Sequence, residues 1–296
     1  MKTKINVDRL LLLLIVAGLA ACVSRPVATP KPVAAPEPAA LPEAAATPGS
    51  VAIAEPHEPD LAILWVRDAA EYHALSLQAY AAASEDLPRL TEDTFWSALP
   101  GQTDAEGLPP AIIFDVDETL VSNVEFQVAL EPPFKNHKLD DWAAANDARP
   151  VPGAAAFIKR ARAAGVEVFF VTNRPCEAKS DTDDPCPQQQ VTIDDLVETG
   201  IPADAAHVLL AHEQPGWTGE KEVRRDLIAE QYRVIMLVGD DLGDFIACVR
   251  ARIHTPCTSA ATHAGRQAQM EKYAAYWGNG WYILPNPMHG SWTSVE

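Results

Sequence analysis

The chain has 296 residues, 48% of them hydrophobic, enough to bury a full core in one large domain or two small ones. Its formal net charge of −18 opposes binding to a polyanion, so a nucleic-acid polymer is excluded as a partner, whereas a small phosphate ester needs only local positive charge. The five cysteines, Cys22, Cys176, Cys186, Cys248 and Cys257, form no zinc-binding pattern.

Lys2, Lys4 and Arg9 precede an apolar run, Leu10 to Ala21, that is too short to span a bilayer stably. This is the layout of an export signal. The run ends Leu19-Ala20-Ala21-Cys22, which resembles the bacterial lipoprotein box, where the cysteine is lipidated and becomes the first mature residue. Val23 in place of Asp resembles the outer-membrane sorting pattern of Gram-negative lipoproteins. Residues 23–60 are dominated by Pro and Ala and favour an extended, semi-rigid tether. The expected organisation is a signal over 1–21, a tether over 22–59 and a globular part over 60–296, divided into a helical arm (60–110) and a core (111–296). In an exported protein the two local pairs, Cys176 with Cys186 and Cys248 with Cys257, can close as disulfides; the alternative is buried thiols.

Asp60 is placed to cap a helix with apolar spacing at Leu61, Leu64, Tyr72 and Leu75, running to about Ser84. A second short helix is expected near 91–99, and a loop over 101–110. From Ala111 onward strand and helix signals alternate. Strands are expected at 111–114, 166–172, 207–211, 234–239 and 281–284, with helices from Pro152-Gly153, over 188–198 and over 219–230. Alternation of this kind implies a doubly wound α/β fold, a parallel sheet with helices on both faces.

The run Ala111-Ile112-Ile113-Phe114-Asp115-Val116-Asp117-Glu118-Thr119 reads as a buried strand ending in two carboxylates. Residues i and i+2 of an extended chain point the same way. Asp115 and Asp117 would therefore crowd like charges together unless a cation sat between them, and Mg²⁺ suits such oxygen ligands. Ligands in open α/β sheets bind beyond the carboxyl ends of the strands. Two more polar clusters stand at such ends: Thr172-Asn173-Arg174, and Gly239-Asp240-Asp241-Leu242-Gly243-Asp244. Lys221 stands near a helix start.

Together, in this order, these segments resemble the four motifs of the haloacid dehalogenase (HAD) superfamily in its phosphatase form. The resemblance implies that Asp115 is a nucleophile forming an aspartyl-phosphate and Asp117 the general acid/base. It makes Thr172 and Lys221 the groups that hold the phosphoryl oxygens. It gives a Mg²⁺ site made by Asp115, Asp240, Asp244 and the main-chain carbonyl of Asp117, and Asn173 as a substrate contact. Asp241 has no role in this scheme. The helix around Leu64-Trp65, Glu71-Tyr72 and Gln78-Ala79-Tyr80, and the ending Leu284-Pro285-Asn286-Pro287-Met288-His289-Gly290-Ser291-Trp292, are similar to the class C acid phosphatases. These are lipoproteins that hydrolyse nucleoside 5′-monophosphates and related esters.

That family sandwiches a flat leaving group between two aromatic side chains. Phe134 matches one; the other, usually Tyr, is His289 here. The expectation is a Mg²⁺-dependent acid phosphatase or 5′-nucleotidase, with a small helical cap, held through lipidated Cys22 on the bacterial outer membrane and facing the periplasm or exterior. The alternatives are a broad sugar- or aryl-phosphate phosphatase, and a non-catalytic surface-binding lipoprotein. A dehalogenase is disfavoured because Asp117 supplies the acid that phosphoryl transfer needs. The segment 176–187, with Asp181, Asp183 and Asp184, reads as a solvated acidic loop, and His137, His207, His212, His254 and His263 as bystanders. The sequence does not specify an oligomeric state.

Overall fold

The computed structural model describes residues 60–145, 149–180 and 182–296. The expected signal, the tether with Cys22, and Asp181 lie outside the described residues. The helical arm holds α1 (Leu61–Asp68) and α2 (Ala70–Glu92). After β1 (Pro110–Phe114) come β2 (Val121–Ser122), α3 (Val124–Ala129), α4 (Asn136–Ala144) and β3 (Arg149–Pro150). The chain continues through α5 (Ala154–Ala163), β4 (Glu167–Pro175), α6 (Pro187–Glu198) and β5 (Val208–Ala211). It ends with α7 (Glu222–Ala229), β6 (Arg233–Gly239), α8 (His263–Lys272) and β7 (Trp281–Ile283).

Five strands make one sheet in the order β5-β4-β1-β6-β7, every pairing parallel. The apolar runs become strands because both faces of a parallel sheet are covered, so neither side of the pleat needs polar residues. In β1, Ile112 and Phe114 enter one core with Tyr80, Leu87, Phe157 and Leu196. Ala111 and Ile113 enter a second core with Ile228, Phe245 and Trp281 on the other face. The doubly wound architecture is therefore present, with α2, α5 and α6 over one face and α7 with the C-terminal segments over the other. β1 is central, so its carboxyl end opens between those of β4 and β6.

The arm differs from expectation in two respects. The first helix breaks at Ala69, which is extended (φ −82°, ψ 130°). Alanine favours helix, so local preference does not cause the break. Tertiary packing decides it: the bend seats Val66 and Tyr72 against Val124 at the start of α3. No separate helix forms over 91–99. α2 instead runs through Pro88 to Glu92. Trp96 and Ala98 then bond the first carbonyls of β6, Trp96 Nε1 to Ile235 O at 3.0 Å and Ala98 N to Val234 O at 2.7 Å. β7 pairs only with Leu237 to Gly239, so the start of β6 needs these donors.

β2 and β3 pair antiparallel and, with α3 and α4, make up the small cap. Helix α8 has no counterpart among the expected elements. Both local cysteine pairs are bonded, with Cα–Cα distances of 4.8 Å for Cys176–Cys186 and 5.3 Å for Cys248–Cys257.

Candidate active site

The carboxyl ends of β1, β4 and β6 carry the expected polar clusters. Asp115 follows β1 directly; its N–H bonds Val238 O at 2.9 Å, which ties it to β6. Lys221, immediately before α7, forms a buried ion pair with Asp115 Oδ1 and a second with Asp244 Oδ1 at 2.7 Å. Asp244 is brought there by a single 3-10 turn, Leu242–Asp244. Its Oδ2 accepts from the N–H groups of Asp240 and Asp241 at 3.1 and 2.9 Å. Gly239 makes this possible, because a Cβ at that position would lie 2.3 Å from Asp244 Oδ2.

Carboxylate oxygens of Asp115, Asp240 and Asp244 come within 4.8 Å of one another. Burial pushes the Asp115 carboxyl up to about 7, with Lys221 pulling it down and Asp244 and Asp117 pushing it further up. Burial, then Asp115 and Asp244, hold Asp240 well above the usual carboxylate range. Lys221 alone therefore does not hold Asp115 and Asp240 in the usual carboxylate range. Three hard oxygen donors crowded with surplus negative charge fit a divalent cation, which would restore the charged form. Thr119 Oγ1 donates to Asp240 Oδ1 at 3.2 Å and Asn286 Nδ2 to Asp240 Oδ2 at 2.7 Å, fixing that carboxylate.

The Asp117 side chain is not among the three. It turns to the other side, accepting from Asn123 Nδ2 at 2.7 Å and from Arg174 Nη2 and Nε at 2.8 and 3.1 Å. Burial would raise its pKa, but the Arg174 charge and these hydrogen bonds hold it below the usual range. Arg174 is itself held by Asp195 Oδ2 at 2.6 Å. Glu118 follows Asp117 in the chain. It is 1% exposed, has φ +60°, and accepts from Asn123 N at 2.9 Å. A left-handed non-glycine residue here is local strain at a site, held by its neighbours.

Thr172 is fully buried at the end of β4, and its hydroxyl accepts from Arg174 N at 3.0 Å. Asn173 accepts from Arg224 Nη2 at 3.0 Å. Arg224 also donates to the carbonyls of Thr172 and Leu209, clamping the ends of β4 and β5. Asp115, Asp117, Asn173, Lys221, Asp240 and Asp244 line a cavity of about 820 Å³. A second cavity of about 450 Å³ adjoins it, and both Phe134 and His289 line its walls with Asp117 and Asn173. Phe134 is 52% exposed and packs edge-on to Phe126. His289 Nε2 lies 3.7 Å from Glu118 Oε1.

The model of the family described as HAD superfamily, subfamily IIIB (acid phosphatase) matches residues 64–292. The protein belongs to HAD subfamily IIIB. As a member of that acid phosphatase family it is a phosphomonoesterase. A solved structure with the same fold is the class C acid phosphatase from Bacillus anthracis. It shares 27% identity over 78% of this chain and 84% of its own, with a TM-score of 0.61. The same figures hold for that phosphatase with tungstate bound.

Several residues of this HAD phosphatase's site carried no separate signal in the sequence. Arg174 stands in the expected Thr-Asn-Arg cluster, yet nothing there pairs it with Asp117. Asn123 and Arg224 look like ordinary loop and helix residues until the chain folds. Asn286 lies in the C-terminal signature, the one hint of its place. Asp241, outside the expected site, spends its oxygens on structure. It accepts from Gly243 N at 2.8 Å and from Ser291 N and Oγ at 2.6 and 2.7 Å, anchoring the C-terminal segment.

Proposed function

We propose that this acid phosphatase is Mg²⁺-dependent and cleaves nucleoside 5′-monophosphates or similar small phosphate esters through an aspartyl-phosphate on Asp115. The observation that carries this reading is the convergence of Asp115, Lys221, Asp240 and Asp244 on one point, beside a cavity walled by Phe134. Asp115 attacks phosphorus as the ester P–O bond breaks, and Asp117, acting from the protonated form that Arg174 makes the minor one, gives its proton to the leaving oxygen. Asp117 then takes a proton from the water that opens the acyl phosphate, returning Asp115. Lys221 sets a fixed positive charge against the transferring group, and Thr172 offers its hydroxyl to a phosphoryl oxygen.

Asp115, Asp240, Asp244 and the Asp117 carbonyl would hold Mg²⁺. The cation supplies charge neutralisation at the phosphoryl oxygens and favours the ionised nucleophile. Phe134 and His289 flank the leaving group. Imidazole stacks less extensively than a tyrosine ring, which favours a broad small-ester phosphatase as the second reading. We also propose lipid attachment at Cys22 and residence at the bacterial outer membrane, on the strength of the export signal and lipobox.

The test is phosphate release from a nucleoside monophosphate, a sugar phosphate and an aryl phosphate, before and after chelation and with Mg²⁺ restored. Activity should vanish on chelation and return with Mg²⁺. Asp115→Asn should abolish turnover while the protein stays folded by circular dichroism; a fully active Asn variant rules out the covalent route.

A further inference from the structure

The disulfide-closed loop Cys248–Cys257 brings two arginines and a histidine to an otherwise acidic molecule's catalytic cleft. Arg250, Arg252 and His254 line the 820 Å³ cavity with Asp115 and Lys221. Arg250 also lines the adjoining cavity with Phe134, Leu130 and His289, where a leaving group would lie. The loop is held in place. Its Cys248 N–H bonds Glu220 Oε2 at 3.0 Å, next to Lys221, and Arg250 O accepts from Ala261 N at 2.9 Å.

Arg250 is positioned but not satisfied. Its side chain is 21% exposed, and its ion-pair partner Asp241 stands 3.9 Å away, outside hydrogen-bonding reach. Asp241 is already committed to Gly243 and Ser291. Arg250 Nε is buried without a hydrogen-bond partner among the described residues. A partly buried guanidinium with unused donors is costly to leave unpaired. Gly243 leaves room for it, since a Cβ there would lie 2.8 Å from Arg250 Nη2. The planar fork of arginine matches a phosphate or carboxylate through two parallel hydrogen bonds.

We propose that Arg250 is a specificity-determining residue that binds a second anionic group on the leaving-group side of the substrate. The preferred substrates are then phosphomonoesters carrying a further phosphate or carboxylate. Arg252 widens the same basic wall, and His254, whose imidazole burial and the neighbouring arginines hold toward the neutral form, lines it as a hydrogen-bonding group. The inference rests on the phosphatase reading, because it takes the scissile phosphate to lie at Asp115.

Two matched pairs of substrates test it by kcat/KM. One is glycerol 3-phosphate against 3-phosphoglycerate, which adds a carboxylate. The other is adenosine 5′-monophosphate against adenosine 3′,5′-bisphosphate, with the product identified by chromatography. The wild type should favour the more anionic member of at least one pair by about tenfold, the value of a charge-assisted hydrogen bond. In Arg250→Gln that preference should collapse, chiefly through KM, and Arg250→Lys should keep part of it. No preference in the wild type overturns the inference whether or not the variants fold. An equal loss on both members in Arg250→Gln also overturns it, by assigning Arg250 to the scissile phosphate. Failure of the wild type to release phosphate from all four compounds refutes the phosphatase reading, and the inference with it.

Discussion

Arg174 grips Asp117 with two nitrogens and is itself gripped by Asp195, so the second aspartate of the motif is held in one orientation away from the other carboxylates. Two acids one residue apart thus meet different neighbours: Asp115 faces Lys221, while Asp117 faces Arg174 and Asn123. Asp115 and Asp240 are pushed up by burial and like charge, whereas Asp117 is held low. Removing one partner of a buried ion pair typically costs about 3–5 kcal/mol. Arg174→Gln should therefore lower the melting temperature. It should also move the limb of the pH–rate profile that follows Asp117 to higher pH, because the charge that depresses its pKa is gone. Thermal melts and a kcat/KM profile read the two effects separately; an unmoved limb would mean that Arg174 serves stability alone.

At the scale of elements, the loops after the strands decide what each end presents. The 3-10 turn after β6 folds Asp244 back onto Lys221, and Gly239 is the only residue type that admits so close a return. Tyr80 of α2 donates to Thr119 O at 2.6 Å, so the helical arm supports the loop after β1 as well as covering the sheet. The Cys248–Cys257 crosslink closes a short loop, for which constraint of the unfolded chain contributes about 2–3 kcal/mol. Replacing both cysteines with serine should lower the melting temperature by roughly 2–4 °C for each of those kcal/mol. Differential scanning calorimetry of oxidised wild type and the double variant measures this directly. Identical melting temperatures would mean that the surrounding hydrogen bonds alone hold the loop.

At the scale of the whole molecule, the proposed lipid attachment at Cys22 would hold an acidic phosphatase at a membrane, where it would act on small diffusible esters. Among the described residues no helix is long and apolar enough to cross a membrane. The proposed lipid attachment at Cys22 would place any membrane association in the N-terminal segment, and Cys22→Ser should then move the protein from the membrane to the soluble fraction on cell fractionation. Persistence of the variant in the membrane fraction would exclude lipid attachment at that residue. Much of the architecture was legible in advance. Apolar runs of strand length alternating with amphipathic helices dictate a parallel sheet, because only that arrangement buries both faces of such strands. The carboxylates, Thr172 and Lys221 stand at predictable strand and helix ends for the same reason. Tertiary structure alone decided the break at Ala69, the path of 93–99 and the partners of Asp117, Asp240 and Arg250. These depend on contacts between residues far apart in the chain, where a side chain's role is set by which neighbours have already used their hydrogen bonds. Local spacing carries no record of that competition.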